Sequence, residues 1–203
     1  MLAKLMSYAL LGLVRLLTGS QARWHGCPPK AEQRIYFANH QSHADLIMIW
    51  AALPKELRSV TRPIAARDYW TQTPFKQWIT TAVFNAIYVA RDKTDGQDPL
   101  APLYDALKGG DSIILFPEGT RGYADEPQSF KSGLYNLALK YPDVVLVPAW
   151  INNIQRVMPK GEVVPVPVLC SVTFGVPVRL QAGEERRAFL DRARLAVIAL
   201  RDV

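Results

Sequence analysis

Apolar residues follow two recurring patterns along this chain. Short continuous apolar runs are typical of strands buried in a sheet, whereas segments whose apolar residues return every three or four positions are typical of helices. The strand-like runs are 34–38, 58–65, 86–91, 111–116, 144–151 and 168–178, and the helix-like segments are 44–53, 67–83, 99–108, 130–141 and 184–200. Their alternation predicts an α/β fold, a single domain with a mostly parallel or mixed sheet flanked by helices. A polar stretch, residues 19–33, reads as a linker.

The N-terminal segment carries a separate helical pattern. On a helical wheel one face is apolar and the other is mostly polar. The apolar face holds Leu2, Leu5, Met6, Ala9, Leu10, Leu13, Leu16 and Leu17, and the other holds Lys4, Ser7, Tyr8, Arg15 and Thr18. A membrane span needs about 20 mostly apolar residues, and Arg15 interrupts this one. We therefore predict an amphipathic membrane-interface helix in residues 1–20, followed by a domain in residues 21–203; packing of the helix on the domain's own core is the alternative.

Composition and charge narrow the function classes. A chain that is 49% hydrophobic and 21% charged is not disordered. The net charge of +6 favours an anionic partner, which nucleic acid, an anionic membrane or a phosphorylated small molecule would equally satisfy. No basic motif with interleaved aromatics indicates nucleic-acid binding. The two cysteines, Cys27 and Cys170, lie far apart and indicate neither a disulfide framework nor a zinc ribbon.

The first candidate for chemistry is NHQSHAD, residues 39–45, where a predicted strand ends and a helix begins. His40, His43 and Asp45 are possible metal ligands, but no further histidine at ligand spacing supports them, so no metal site is predicted. A proton-transfer pair needs one imidazole and a carboxylate on its other nitrogen, and His40 and Asp45 could meet across the turn. A solvated turn capped by aspartate or serine is the alternative.

The second candidate is FPEGTR, residues 116–121, which also emerges where a buried strand ends. Gly119 permits close backbone approach and Thr120 can donate a hydrogen bond. Arg121 offers a two-pronged guanidinium to a phosphate. Alone, the segment is equally compatible with an ordinary turn.

Together these segments resemble the glycerolipid acyltransferases typified by 1-acylglycerol-3-phosphate acyltransferase. The resemblance extends over residues 34–151 in the family's order of blocks. The blocks are NHxSxxD at Asn39, His40, Ser42 and Asp45; a strand ending at Arg91; FPEGTR at Phe116 to Arg121; FKxG at Phe130, Lys131 and Gly133; and a strand with a central proline, Pro148. The chain departs from the family at Asn85 and Ala90, where the family often has glycine and aspartate. It also has one N-terminal helix where better-known members have a pair.

The resemblance implies roles for individual residues. His40 would be the general base that deprotonates an acceptor hydroxyl, and Asp45 would orient it. Lys131 would face the donor's phosphates or be a solvated helix residue, and His43 would be a bystander. The acceptor's phosphate or glycerol would be bound by a set that includes Arg91, Glu118, Gly119, Thr120 and Arg121. Within this set, Glu118 would orient an arginine or a substrate hydroxyl rather than touch the phosphate. Since no serine or cysteine lies in a GxSxG elbow, no covalent acyl-enzyme is expected.

The implied activity is transfer of a fatty acyl group from acyl-CoA or acyl-ACP to lysophosphatidic acid, giving phosphatidic acid in phospholipid biosynthesis. Residues 21–203 would then be the acyltransferase domain, working without a cofactor or metal at the cytoplasmic face of a membrane, peripheral or monotopic. Acyl carrier protein is a possible partner. The alternatives are another lyso-lipid acceptor and a non-catalytic lipid-binding protein. The aromatics Tyr69, Trp70, Phe75, Trp78 and Phe84 could line an acyl-chain groove, face the bilayer or pack in the core.

Overall fold

A computed structural model describes residues 2–19, 21–42, 44–90, 98–122, 126–153 and 169–203. Within these ranges the strands are β1 (Gln21–Trp24), β2 (Arg34–Ala38), β3 (Thr61–Ala66), β4 (Ile87–Val89), β5 (Ser112–Leu115), β6 (Val145–Asn152) and β7 (Ser171–Phe174). The helices are α1 (Leu2–Thr18), α2 (Asp45–Ala52), α3 (Lys55–Ser59), α4 (Arg67–Trp70), α5 (Pro74–Trp78), α6 (Ala101–Lys108), α7 (Gly133–Lys140) and α8 (Arg186–Ile198), with a π-helical turn at Ile79–Val83.

The strands form one mixed sheet in the order β1-β7-β6-β2-β5-β3-β4. The five strands from β6 to β4 are mutually parallel, whereas β7 runs antiparallel to β6 and β1 runs parallel to β7. The predicted α/β fold with a single mixed sheet is therefore confirmed. Because parallel strands end at the same edge of a sheet, the segments that follow β2, β5 and β3 meet there.

Helices cover both faces of the sheet, as the alternating side chains of the central strand β2 show. Ile35 and Phe37 point into a core shared with α6, α7 and α8. Tyr36 and Ala38 point into the opposite core, which is shared with α2. Successive side chains of a strand point to opposite faces of the sheet. Every residue of β2 is buried, as expected for a central strand of a sheet that is covered on both faces.

Three predicted elements have different boundaries in the structure. The stretch read as a linker contains β1, whose Trp24 stacks on Phe174 with ring centroids 4.1 Å apart; the sequence signal is weak because β1 is a short, mostly exposed edge strand. The strand predicted at 58–65 starts later because α3 ends at Ser59. The helix predicted at 67–83 is divided into α4, α5 and the π-helical turn, with Pro74 beginning α5 and Thr73 capping it.

Helix α1 both packs on the domain and exposes an apolar face. Leu11 is buried, and Leu10 and Val14 pack against the core that contains α2, so α1 shares a core with the rest of the chain. Leu10 belongs to the face predicted to meet a membrane and here packs instead. The exposed face of α1 consists of Leu2, Leu5, Leu13 and Leu16. Among the described residues, no helix combines the length and apolarity needed to cross a membrane.

A side-chain amide joins the end of β2 to β6. The buried Asn39 Nδ2 donates to the Ile151 carbonyl at 3.2 Å, and Asn39 Oδ1 accepts the Ile151 N–H at 2.8 Å. Asn39 therefore adds one pair of hydrogen bonds to the ladder between β2 and β6. These bonds fix the backbone position at which the next residue, His40, follows the strand.

Substituting Asn39 by alanine should lower the free energy of unfolding by about 2–4 kcal/mol, because two buried backbone groups of Ile151 lose their partners. Urea unfolding should show a lower midpoint with an unchanged m-value. Gln72→Ala, which removes one exposed amide contact with Lys76, is the control and should change stability by less than about 0.5 kcal/mol. Equal effects of the two substitutions would contradict this role of Asn39.

Candidate active site

His40 and Asp45 form a hydrogen-bonded pair across the turn between β2 and α2. His40 Nδ1 lies 2.8 Å from Asp45 Oδ2, which also accepts the backbone N–H groups of Gln41 at 2.6 Å and Ser42 at 2.8 Å. Because Asp45 Oδ2 already accepts two backbone N–H groups, we assign it as the acceptor from Nδ1 as well, which leaves Nε2 as the ring nitrogen available to another molecule. The Asp45 side chain is 1% exposed and that of His40 is 18% exposed. An imidazole held in this way can accept a proton from a molecule in the adjoining cavity.

The plane of the His40 ring is fixed from one side by Phe116. The two rings stack with centroids 4.4 Å apart and an interplanar angle of 19°. Phe116 is the first residue after β5, the strand next to β2, so sheet topology places its ring beside the turn. The contact had no sequence signal other than its place in the FPEGTR block.

Glu118 supports the active-site loops from within. Its Oε1 accepts the His40 N–H at 2.8 Å and its Oε2 accepts the Gln128 N–H at 2.8 Å, while the Gly122 N–H donates to the His40 carbonyl at 2.8 Å. Burial raises the pKa of the Glu118 carboxyl above its ordinary value of 4.5, and the two backbone N–H groups and His40 partly offset that rise.

This position differs from the one expected for a substrate-binding carboxylate. Glu118 is 2% exposed, and the cavity wall formed by the described residues does not include it. Both of its oxygens already accept backbone hydrogen bonds, which explains why a carboxylate stands in a loop otherwise suited to an anion. In the structure Glu118 orders the loop that carries the neighbouring residues.

The Lys131 side chain packs directly against the backbone of Gly119. Gly119 has φ of +68°, in the left-handed region, and a Cβ there would lie 2.7 Å from Lys131 Nζ. The Lys131 N–H also donates to the Pro117 carbonyl at 2.9 Å. The FPEGTR and FKxG blocks are therefore packed together, and any side chain at position 119 would displace the lysine.

A cavity of about 850 Å³ opens at this edge of the sheet. Its polar wall contains five of the residues expected at the site: His40, Gly119, Thr120, Arg121 and Lys131. Its apolar wall includes Leu46, Ile64, Tyr69, Trp70, Leu103 and Leu134. An amphiphile with a charged head and an aliphatic chain matches such a divided lining.

Several other residues also bear on the sequence expectations. Arg91 and His43 lie outside the described residues. Of the aromatics, Tyr69 and Trp70 line the cavity, Phe84 is in the core and Phe75 is 62% exposed.

Sequence reasoning missed three polar residues of the cavity wall, which are Asp98, Ser132 and Asn136. For Asn136 a signal existed, because residues 132, 133 and 136 share one face of a helix. Asp98 had no comparable signal: its Oδ1 accepts the Leu100 N–H at 2.9 Å, as in an ordinary Asx turn, just before α6.

At Asn85, where the family often has glycine, φ is +49°. Asparagine is among the few residues that tolerate this left-handed conformation, so the departure keeps the backbone geometry. At the second departure, Ala90 lines the cavity without offering a charge. No group of three histidine, cysteine, aspartate or glutamate side chains that could hold a metal ion occurs among the described residues.

Comparisons with known proteins agree with the motifs. The sequence model of the Acyltransferase family matches residues 24–152. The 1-acyl-sn-glycerol-3-phosphate acyltransferase alpha of Homo sapiens is 28% identical over 182 residues, which are 87% of this chain and 61% of that protein. The chloroplastic 1-acyl-sn-glycerol-3-phosphate acyltransferase LPAT1 of Arabidopsis thaliana is 27% identical over 135 residues, 66% of this chain and 36% of that protein. The chain thus spans between 36% and 61% of the length of these two relatives.

A solved structure shares the fold. The crystal structure of the 1-acyl-sn-glycerophosphate (LPA) acyltransferase PlsC from Thermotoga maritima superposes with a TM-score of 0.71 at 22% identity, covering 98% of this chain and 79% of that one. At this identity the likeness concerns the fold. The family match, which spans well over half of the sequence, confirms the resemblance drawn from the ordered motifs: this chain belongs to the Acyltransferase family.

Proposed function

We propose that this chain transfers a fatty acyl group from an acyl thioester, acyl-CoA or acyl-ACP, to the free hydroxyl of lysophosphatidic acid, giving phosphatidic acid. The observation that carries the proposal is the His40–Asp45 pair, joined at 2.8 Å, in a cavity wall that also holds Arg121 and Lys131. The names of the matched relatives, 1-acyl-sn-glycerol-3-phosphate acyltransferases, support the same acceptor.

The geometry supports a single-displacement reaction. His40 Nε2 removes the proton of the acceptor hydroxyl as its oxygen attacks the thioester carbonyl carbon, and Asp45 stabilises the resulting imidazolium. The tetrahedral intermediate collapses with cleavage of the C–S bond. The sulfur leaves with the proton that His40 returns, so the products are an ester and a free thiol. Every proton is transferred through one imidazole, and no acyl-enzyme is formed.

The charges of the cavity favour an acceptor with a phosphate. In the described part of the chain, neither Arg121 nor Lys131 forms an ion pair, although both line the cavity. A phosphomonoester carries between one and two negative charges near neutral pH and accepts bidentate hydrogen bonds from a guanidinium. Arg91, by resemblance, would add a third cation.

One observation favours a second acceptor class. Asp98 places a carboxyl group in the same wall. A carboxylate beside two cations suits a zwitterionic lyso-lipid, whose ammonium group would meet the acid while its phosphate meets the bases.

The exposed face of α1 supports attachment to a membrane surface, which we propose is the cytoplasmic face. Leu16 is 81% exposed and Leu13 is 52% exposed, and the flanking basic residues Lys4 and Arg15 suit anionic headgroups. Trp78 stacks with the exposed Phe75 on α5, beside the π-helical turn against which α1 packs. Aromatic side chains of this kind are favoured at membrane interfaces.

Replacing His40 by alanine should lower kcat for acyl transfer to lysophosphatidic acid by about 10²-fold or more, because the general base is lost. The assay follows a labelled acyl chain from acyl-CoA into phosphatidic acid in detergent. His43→Ala is the matched control and should remain within about threefold of wild type. Near wild-type turnover by His40→Ala would contradict the role of His40 as general base.

Replacing Arg121 by methionine should raise KM for lysophosphatidic acid by about 10- to 100-fold, the equivalent of a charge-assisted bidentate contact. KM for a lyso-lipid without a phosphomonoester should change by less than about threefold. Arg121→Lys, which keeps the charge but not the fork, should be intermediate. If both acceptors lost affinity equally, Arg121 would not read the phosphomonoester.

The double substitution Leu13→Ser and Leu16→Ser should weaken binding to anionic vesicles by about 10- to 100-fold, because two leucines leave the interface. Co-sedimentation with phosphatidylglycerol-containing vesicles measures the effect. Leu195→Ser on α8, another leucine that is 59% exposed, is the control and should not change binding. Unchanged binding of the double variant would leave packing as the only role of α1.

A further inference from the structure

The C-terminal helix α8 reaches the active-site loops although it lies beyond residues 24–152, the segment matched by the family. Arg194 Nε donates to the Pro127 carbonyl at 2.7 Å, and Arg194 Nη2 donates to Glu126 Oε2 at 3.1 Å. The Arg194 side chain is 27% exposed and Glu126 is 52% exposed, so the carbonyl contact is the better shielded of the two.

Two further hydrogen bonds continue this contact to the catalytic turn. The residue after Pro127, Gln128, donates its N–H to Glu118 Oε2 at 2.8 Å. The other oxygen of the same carboxylate accepts the His40 N–H at 2.8 Å. A buried carboxylate that holds a peptide at each end transmits a displacement of one peptide to the other, since it cannot lose either partner without leaving a buried group unpaired.

Arginine suits this position for a geometric reason. A guanidinium presents donors in a fixed plane, so it can bind the Pro127 carbonyl and the Glu126 carboxylate together. An exposed ion pair alone contributes little, about 0–1 kcal/mol. The value of Arg194 therefore lies in holding the 126–128 backbone in one place rather than in overall stability.

We propose that Arg194 is a positioning residue for the general base, holding segment 126–128 so that Glu118 places the His40 peptide. The inference rests on the proposed function of His40. Arg194 is not part of the cavity wall formed by the described residues, so it acts without touching substrate. Its loss shifts the base by a fraction of an ångström and leaves the binding contacts in place.

Arg192 provides a matched control on the same helix. Its guanidinium binds Glu184 through two hydrogen bonds, at 2.9 and 2.6 Å, and donates to the Arg179 carbonyl at 2.8 Å. Arg192 thus binds the same two kinds of group as Arg194, a carboxylate and a backbone carbonyl. Its partners, however, belong to the segment that leads into α8. If the substitutions acted only by destabilising α8, substituting either arginine would have a similar effect on kcat. If Arg194 positions His40, only the substitution of Arg194 would lower kcat.

The kinetic test compares Arg194→Met, Arg194→Lys and Arg192→Met in the full-length chain. Arg194→Met should lower kcat about tenfold with KM for the acceptor unchanged within about twofold, as expected for a misplaced base. Arg194→Lys should recover part of kcat, and Arg192→Met should keep kcat within about twofold even if it unfolds more easily. In a Glu118→Gln background, Arg194→Met should add less than about twofold, because the connection is already broken.

Amide hydrogen exchange tests the same inference without any activity. Exchange of the Gln128 and His40 N–H groups should become about tenfold faster in Arg194→Met and stay unchanged in Arg192→Met. Equal kcat losses in the two methionine variants, additivity with Glu118→Gln, or unchanged exchange at both amides would each overturn the proposal. Absence of acyl transfer by the wild type would instead overturn the proposed function, and the exchange data would still decide on Arg194.

Discussion

One buried oxygen, Asp45 Oδ2, holds the turn at residues 39–45 together. It accepts hydrogen bonds from the His40 ring and from the N–H groups of Gln41 and Ser42, all within 2.8 Å. These donors are part-buried, and a fully buried donor that loses its acceptor costs about 1–3 kcal/mol. The same atom therefore stabilises the turn and orients the imidazole.

The two buried carboxylates of the site, Asp45 and Glu118, accept hydrogen bonds from neutral donors, although Asp45 Oδ1 has no hydrogen-bond partner in the described part of the chain. Asp45 and Glu118 accept backbone N–H groups, and Asp45 accepts the imidazole as well. Burying a carboxylate is unfavourable unless donors surround it, and cations are the usual alternative to peptide groups. Among the residues that the structure describes, no carboxylate forms an ion pair with Arg121 or Lys131, and both line the cavity wall. The loops thus leave two cationic side chains in the cavity wall, as the proposed phosphate-bearing acceptor requires.

The sequence supported the fold class and the meeting of His40 with Asp45, because both depend on local patterns: alternating periodicities and a five-residue separation across one turn. It did not indicate the position of Glu118, since the partners of that carboxylate lie 78 and 10 residues away and only tertiary structure brings them together. Likewise β1 was read as a linker because an edge strand can form through backbone pairing with little apolar signal. For α1, the helical wheel indicated an apolar face, but it did not indicate that Leu11 and Val14, which were assigned to neither face, would pack on the core.

Two elements beyond the family match, β7 and α8, are connected through hydrogen bonds to the turn at residues 39–45. Strand β7 pairs with β6, and Ile151 of β6 is bound by the amide of Asn39. Helix α8 binds segment 126–128, and through Glu118 this contact reaches the N–H of His40. Asn39 and His40 are consecutive, so the two sets of hydrogen bonds end at neighbouring residues. The motif residues therefore lie at this turn and in the cavity wall, while β7 and α8, beyond the family match, contact the elements that hold them.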